Sequence, residues 1–198
     1  MRARLAVVAS GIKVELREIL LRDKAPEFLA SSPKGTVPVL VAPSGQVIDE
    51  SFDVMRWALA QSDPEEWLNM PAAGHDWIAR CDGPFKQALD HTKYAVRYPD
   101  LDLQKERARA SEFLQDLDTQ IAGSEWMFGA DCTLADMALL PFIRQFANID
   151  NAWFDQQPWP NLQRWLARFL ASELFANIMV KYDKWTTGDA ALTFPNPP

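Results

Sequence analysis

The sequence predicts a small α/β domain followed by an all-helical domain. Two observations support this fold class. Up to about residue 62, the spacing of apolar residues changes repeatedly between a helical period and the patterns typical of strands. Beyond a linker-like stretch from Ser62 to Ala73, only helical spacing recurs. A chain of 198 residues is long enough to give two small domains their own cores.

The first element is predicted to be a helix. Its apolar residues have the i, i+3, i+4, i+7 spacing of one buried face: Leu5, Val8, Ala9 and Ile12. Gly11 is suited to end this helix, because glycine readily adopts the left-handed conformation found after a last turn. No capping side chain precedes the helix, and Arg2 and Arg4 oppose its dipole. A strand-like run over Val14–Leu20 and a short helical segment over Pro26–Ala30 follow.

Two short apolar runs separated by turn residues then predict a β-hairpin. The run from Val37 to Val41 is rich in β-branched residues, Pro43-Ser44-Gly45 favours a turn, and Gln46 to Ile48 forms the return strand. Ser51 is a candidate N-cap for the next helix. That helix has an apolar face made of Phe52, Met55 and Leu59. The first domain, residues 1–62, is therefore predicted to have the order α-β-α-β-β-α.

Residues 72–185 are predicted to form the helical domain. Two proline dipeptides, Asp63-Pro64 and Met70-Pro71, bracket the linker that precedes it. Helical spacing recurs in these segments: 72–94, 104–121, 134–146, 162–171 and 173–180. Residues 186–198 are expected to form an irregular tail on the surface.

Composition narrows the functional classes. The formal charge of −7 argues against nucleic acid or an anionic membrane as a partner. No apolar run approaches the roughly 20 residues of a membrane span, and no signal-peptide pattern opens the chain. Cys81 and Cys132 lie far apart without metal-ligand spacing, and His75 and His91 do not form an i, i+4 pair. We therefore expect a cytoplasmic protein without a metal site or structural disulfides.

The Val37–Pro38 bond allows two interpretations. Proline at the start of a strand is commonly an entry residue at an edge or bend. If this bond is cis, however, the backbone N–H and C=O of Val37 turn outward. They would then pair with an extended, peptide-like ligand as an added strand does.

The run Asp49-Glu50-Ser51 before the third helix also allows two interpretations. Capping alone accounts for it, because Ser51 can cap the helix and the acids complement its dipole. In the functional interpretation, the Ser51 hydroxyl and the free N–H groups hold a ligand carboxylate. Glu50 accepts a hydrogen bond from an ammonium group of the same ligand. The two features together suit the α-amino-acid end of a small molecule.

A second helix start carries a structural motif. Thr133 and Asp136 match a Thr-x-x-Asp variant of the capping box, and Cys132 and Met137 are placed as a hydrophobic staple. We interpret this motif as the start of a core helix, without a direct role in chemistry.

These features together resemble the glutathione transferase superfamily, particularly its omega-like and glutaredoxin-2-like bacterial members. The resemblance spans nearly the whole chain. It rests on the order and spacing of four segments: MRARLAVVASGIKVELREI, SPKGTVPVL, Glu50-Ser51 and DCTLADMALLPF. It implies a thioredoxin-like first domain and an all-α bundle as the second.

The resemblance also implies a glutathione site. Val37 would bind the cysteinyl part of glutathione through its backbone, with Pro38 in the cis form. Glu50 and Ser51 would hold the γ-glutamyl end. Lys24 matches a lysine that omega-type members direct toward glutathione, although a solvated loop lysine fits the position equally well.

The chain departs from the family pattern at its start. Relatives begin with a strand and a Cys-Pro-(Tyr/Phe)-Ala-type turn before the residues that match Met1 to Leu5. The resemblance therefore implies that the first strand and the catalytic Cys or Ser lie upstream of Met1, which leaves the chain itself without a catalytic residue. The alternative is a lineage that has lost its first strand. Without that interior strand, Val14–Leu20 would have an unpaired edge, open to a neighbouring strand or a second chain.

Three functions follow from the resemblance. The first is a homodimeric transferase that binds glutathione and transfers it to, or removes it from, a small hydrophobic electrophile or a mixed disulfide. The second is a glutaredoxin-2-like thiol–disulfide oxidoreductase, and the third is a non-catalytic binding module with the same fold. Cys81 and Cys132 are expected to be inert thiols in all three cases.

Overall fold

A computed structural model describes residues 1–195 of the chain. It divides into two compact units. The first unit combines Met1–Glu65 with the residues from Glu173 onward, and the second unit is Glu66–Ser172. The predicted fold class, a small α/β part with few strands and a separate helical part, is confirmed.

The first unit is built around its opening helix. Helix α1 (Arg2–Ser10) packs against α3 (Ser51–Gln61), and Leu5 and Ala6 are fully buried. The predicted apolar face is partly wrong. Val8 is only half-buried and Ile12 lies beyond the helix, because Gly11 (φ +68°) ends α1 with its N–H bonded to Val8 O.

Two separate two-stranded sheets belong to this unit. Strands β2 (Leu40–Val41) and β3 (Val47–Ile48) form the hairpin, with Leu40 paired to Ile48 and Val41 to Val47. Strand β1 is shorter than the run from 14 to 20 and covers Val14–Leu16. The short helix α2 (Pro26–Ser31) lies between β1 and the hairpin in the chain.

The expectation of an irregular tail over residues 186–198 is wrong for one short segment, and positions 196–198 lie outside the described part of the chain. Residues Leu192–Phe194 form strand β4, which pairs antiparallel with β1 and places Phe194 opposite Val14. The edge of β1 is therefore paired by the same chain, because burial of the Phe194 side chain (2% exposed) holds β4 in this unit.

Helix α10 (Glu173–Ile178) also belongs to the first unit, although residues 173–185 were expected in the helical domain. It contacts α1, and Arg4 Nη1 donates hydrogen bonds to Ile178 O at 3.2 Å and Val180 O at 3.1 Å. These bonds use carbonyl groups at the end of α10 that have no partner within the helix.

The second unit is helical, apart from an isolated bridge between Trp126 and Gly129. Its helices are α4 (Ala73–Arg80), α5 (Lys86–Lys93), α6 (Leu103–Gln120), α7 (Leu134–Ala147), α8 (Asn151–Asp155) and α9 (Pro160–Leu170). A π-helical turn over Cys81–Phe85 joins α4 to α5, so the single helix expected over 72–94 is interrupted. Pro84 has no N–H to donate, which removes one regular helical hydrogen bond at this point.

A carboxylate from α6 accepts hydrogen bonds from backbone N–H groups in the first turn of α9. Asp118 Oδ1 accepts from Asn161 N and Leu162 N, both at 2.8 Å. The core between these helices contains large, almost fully buried side chains, such as Phe85, Trp165 and Phe169. Within residues 1–195, no helix is both long and apolar enough to cross a membrane.

Candidate functional site

A tight turn before the hairpin organises the candidate site. Gly35 N donates to Ser32 O at 2.8 Å, and Gly35 has a φ of +62°, a conformation that glycine adopts without strain. Pro33 suits the second position of such a turn because its ring fixes φ near −65°. The turn presents Lys34 outward, with its side chain 58% exposed.

Val37 follows this turn, and its peptide bond to Pro38 is cis. The residue is 50% exposed. No hydrogen bond to the backbone N–H or C=O of Val37 is found among residues 1–195. Both groups are therefore open to an extended ligand.

The start of α3 differs from the sequence prediction by one position. Glu50, not Ser51, is the N-cap: its backbone is extended, and its carbonyl accepts from Val54 N at 3.0 Å. Ser51 is the first helical residue. No side chain caps the helix, and the Ser51 hydroxyl has no partner in the described part of the chain. An uncapped helix N-terminus with a free hydroxyl is a favourable place for an anion.

Glu50 and Asp49 form an acidic pair beside this helix start. Lys34 Nζ lies 2.9 Å from Asp49 Oδ2 and 3.4 Å from Glu50 Oε1. The hydrogen bond to Asp49, and then the one to Glu50, raise the pKa of Lys34 above its ordinary value. The Glu50 carboxylate is 67% exposed, so it keeps room for a second cation.

Lys24 lies in the loop between β1 and α2, and its side chain reaches the turn at Gly35. Its Nζ lies 2.9 Å from the point where a Cβ on Gly35 would stand. The side chain is half-buried, and no carboxylate pairs with it within residues 1–195. A partly desolvated ammonium without a counter-ion favours an anionic ligand.

The four residues predicted from the sequence thus lie around one turn. Lys24 contacts Gly35, Val37 follows that glycine in the chain, and Glu50 pairs with Lys34 of the same turn while preceding Ser51. A cavity of about 320 Å³ lies along β3 and the start of α3 and includes Asp49 of the acidic pair. It is lined by Gln46, Val47, Ile48, Asp49, Asp53, Arg56 and Trp57.

The other predicted motif lies in the second unit. Thr133 and Asp136 form a capping box at the start of α7. The Asp136 carboxylate is fully buried and accepts four hydrogen bonds, from Met127 N, Thr133 N, Thr133 Oγ1 and Trp165 Nε1. Burial raises the pKa of Asp136 above its ordinary value, and these hydrogen bonds oppose that shift. The motif fixes the helix start and leaves no polar atom of Asp136 for a ligand.

The two thiols of the chain belong to a different unit from the residues of the candidate site. Cys81 is buried in the π-helical turn, Cys132 precedes the capping box, and neither forms a disulfide. Both belong to the second unit, whereas the residues around the turn belong to the first. The described residues contain no group of three or more side chains that could hold a metal ion.

Two family models match the chain, one in each half of the sequence. Residues 1–61 match the family model of the glutathione S-transferase N-terminal domain, and residues 76–168 match that of the C-terminal domain. The chain belongs to the glutathione S-transferase superfamily.

Curated members of the glutathione S-transferase superfamily resemble the chain over most of its length. It is 29% identical over 181 residues to the glutathione S-transferase-like protein LUC7 of a Fusarium species, covering 85% of this chain and 82% of that protein. It is 29% identical over 150 residues to glutathione S-transferase GstB of Escherichia coli strain K12, covering 70% and 71%.

A solved structure shows the same fold. A glutathione transferase family member from Pseudomonas fluorescens, crystallised with two glutathione bound, superimposes with a TM-score of 0.71. The alignment covers 89% of this chain and 86% of that protein at 23% identity. At this identity, the likeness concerns the fold of the glutathione S-transferase superfamily and not the reaction.

Sequence reasoning missed two features of the site. The first is Lys34, which the turn residues on either side of it could have drawn attention to. The second is the set of contacts from residues 184–187 to the segment around Lys24. Those contacts join positions about 160 apart in the chain, and no local pattern marks them.

Proposed function

We propose that this chain binds glutathione in its first unit and acts as a glutathione transferase. In this proposal the γ-glutamyl end binds at the start of α3. The α-carboxylate accepts hydrogen bonds from the Ser51 hydroxyl and the free N–H groups of the helix, while the α-ammonium donates to Glu50. The uncapped helix start beside an exposed carboxylate is the observation that carries the proposal.

The remaining polar groups suit the rest of the same ligand. The open backbone N–H and C=O of Val37 match the amide groups of the cysteinyl residue. Lys24 supplies a cation without a counter-ion, and glutathione carries an anionic glycyl carboxylate and a thiol that ionises. A ligand with an amino-acid end, a central amide and further anionic groups therefore complements the site better than a simple anion does.

The reaction we propose is transfer of glutathione to, or its removal from, a small hydrophobic electrophile or a mixed disulfide. Membership of the glutathione S-transferase superfamily supports this class. The family resemblance further supports a homodimer. The spacing of the cysteines and histidines supports a cytoplasmic protein without a metal site. Neither Cys81, buried in the second unit, nor Cys132 is assigned a role in the transfer.

Calorimetric titration with glutathione tests the binding step. Ser51→Ala and Glu50→Gln are each expected to weaken binding about tenfold. Ser51→Ala removes a hydrogen bond to the α-carboxylate, and Glu50→Gln removes the negative charge that faces the α-ammonium. Matched controls are Ser44→Ala, an exposed hydroxyl in the hairpin turn, and Glu173→Gln, an exposed acid at the start of α10. Both controls should bind as the unchanged protein does. Equal affinity in all five proteins would contradict the proposed site.

Turnover assays test the transfer step separately. Conjugation of glutathione to a chlorodinitrobenzene electrophile measures transfer, and reduction of a mixed disulfide of glutathione measures removal. Saturable binding of glutathione with activity in either assay supports the transferase. Binding without activity in both would instead support the non-catalytic binding module.

A further inference from the structure

The chain segment after α10 runs along the loop that carries Lys24. Trp185 N donates to Glu18 O at 2.8 Å, and Thr187 Oγ1 donates to Glu27 Oε1 at 2.5 Å. Lys184 Nζ forms an ion pair with Asp23. Residues 184–187 therefore contact this loop before and after Lys24.

This segment is held in place at both of its ends. Arg4 bonds the carbonyl groups of Ile178 and Val180 at the N-terminal end. At the other end, β4 pairs with β1 and buries Phe194. Between them, Asp189 Oδ2 accepts from the backbone N and the hydroxyl of Thr186, at 2.7 and 2.9 Å. These interactions fix the position of residues 184–187 beside the loop that carries Lys24.

The two acids that this segment engages flank Lys24 in the sequence. Asp23 directly precedes Lys24, and Glu27 follows it in the first turn of α2. The hydrogen bond from Thr187 contributes most to keeping the pKa of Glu27 below its ordinary value. Each of the two acids therefore makes its contact with the C-terminal segment. Lys24 itself has no carboxylate partner among residues 1–195.

We propose that Lys184 and Thr187 are positioning residues of the glutathione site. By engaging Asp23 and Glu27, they keep the two nearest acids in the sequence from neutralising Lys24, whose ammonium group is then available to an anionic group of glutathione. This inference rests on the proposed function and adds the C-terminal segment to its site.

Titration with glutathione across a set of variants tests the proposal. Lys184→Ala and Thr187→Val are each expected to weaken binding about threefold, the size of one interaction with a charged group near a solvated surface. Lys184→Arg should restore the affinity. The matched control is Lys181→Ala, which removes the same charge from an exposed lysine of the same segment that pairs with no carboxylate among residues 1–195. That control should bind as the unchanged protein does.

The deciding comparison uses a Lys24→Ala background. If residues 184 and 187 act through Lys24, adding Lys184→Ala to Lys24→Ala should cause no further loss of affinity. An equal loss in both backgrounds would overturn the proposal, since it would indicate a general structural or charge effect. Unchanged affinity in Lys184→Ala, Thr187→Val or Lys24→Ala alone would overturn it too.

The titrations distinguish failure of the proposed function from failure of the inference about residues 184 and 187. If the unchanged protein does not bind glutathione, both proposals are overturned. If the unchanged protein binds and only Ser51→Ala and Glu50→Gln weaken binding, the proposed function stands and the inference about residues 184 and 187 is overturned.

Discussion

Two acidic side chains at helix starts, Asp136 and Glu50, differ completely in their surroundings. Asp136 is fully buried, and four donors from Met127, Thr133 and Trp165 occupy its oxygen atoms. Glu50 is 67% exposed, and within residues 1–195 its carboxylate has one side-chain partner, Lys34 at a long 3.4 Å. The first carboxylate is therefore committed to the fold, whereas the second remains open to a ligand.

Replacing Asp136 tests its structural role. Asp136→Ala leaves the N–H groups of Met127, Thr133 and Trp165 without their acceptor, and we expect it to lower the free energy of unfolding by about 3–5 kcal/mol. Urea denaturation measures the change. Asp131→Ala, at an exposed aspartate nearby, should change it by less than about 0.5 kcal/mol. A loss below about 1 kcal/mol for Asp136→Ala would contradict the assigned role.

Single residues of the site could be predicted where they belong to a short sequence motif. Val37-Pro38 and Glu50-Ser51 stand out because proline chemistry and a helix start are local signals. The N-cap was misplaced by one residue, since the sequence favours serine at a cap whereas the first helical carbonyl bond starts from Glu50. The ion pairs of Lys34 were missed because they depend on the hairpin returning toward the turn.

At the scale of elements, the backbone conformation of the turn before Val37 affects the position of Lys24, a proposed ligand-binding residue. Gly35 and Gly45 both have positive φ, +62° and +85°. A Cβ on Gly35 would lie 2.9 Å from Lys24 Nζ, whereas a Cβ on Gly45 would meet nothing within 4 Å. Alanine would be strained at either position, but only alanine at position 35 would also displace the Lys24 ammonium. A comparison of the two substitutions therefore distinguishes the two effects.

Alanine at each glycine tests this connection. Gly35→Ala and Gly45→Ala are each expected to lower the free energy of unfolding by about 1–2 kcal/mol, because alanine is strained at positive φ. Only Gly35→Ala should also weaken glutathione binding, by pushing the Lys24 ammonium from its position. Thermal unfolding and calorimetric titration provide the two measurements. Equal binding by both variants would show that Lys24 does not act from its place beside Gly35.

The elements with local signals were predicted well, and those that depend on distant contacts were not. The hairpin and the capping box follow from turn and capping residues. The interruption between α4 and α5 escaped the periodicity analysis, although Gly83-Pro84 gave a hint. Its π-helical geometry accompanies the packing of Cys81 and Phe85, which are both almost fully buried.

At the scale of the whole chain, the order in sequence and the order in space differ. Residues 173–195 belong to the first unit, although the helical unit precedes them in the chain. The paired segments β1 and β4 contain three residues each and lie at nearly opposite ends of the sequence. Strands so short and so far apart leave no periodic signal, which explains why residues 186–198 were expected to be irregular.

Phe194 tests whether the C-terminal strand stabilises the first unit. We expect Phe194→Ala to lower its free energy of unfolding by about 3–5 kcal/mol, since the ring is only 2% exposed. Amide hydrogen exchange should accelerate in α1 and α3 and remain unchanged in α6 and α7. The matched control is Val96→Ala, at an apolar residue that is 94% exposed. Unchanged exchange in α1 after Phe194→Ala would show that β4 adds nothing to this unit.

The central claim is that the start of α3 recognises the γ-glutamyl end of glutathione. The most direct measurement is a pair of calorimetric titrations of the unchanged protein, one with glutathione and one with cysteinylglycine, which lacks that end. We predict saturable binding of glutathione and at least about a tenfold loss of affinity for the dipeptide, because Glu50 and Ser51 would lose both of their partners. Equal affinity for the two ligands, or no binding of glutathione, would contradict the account.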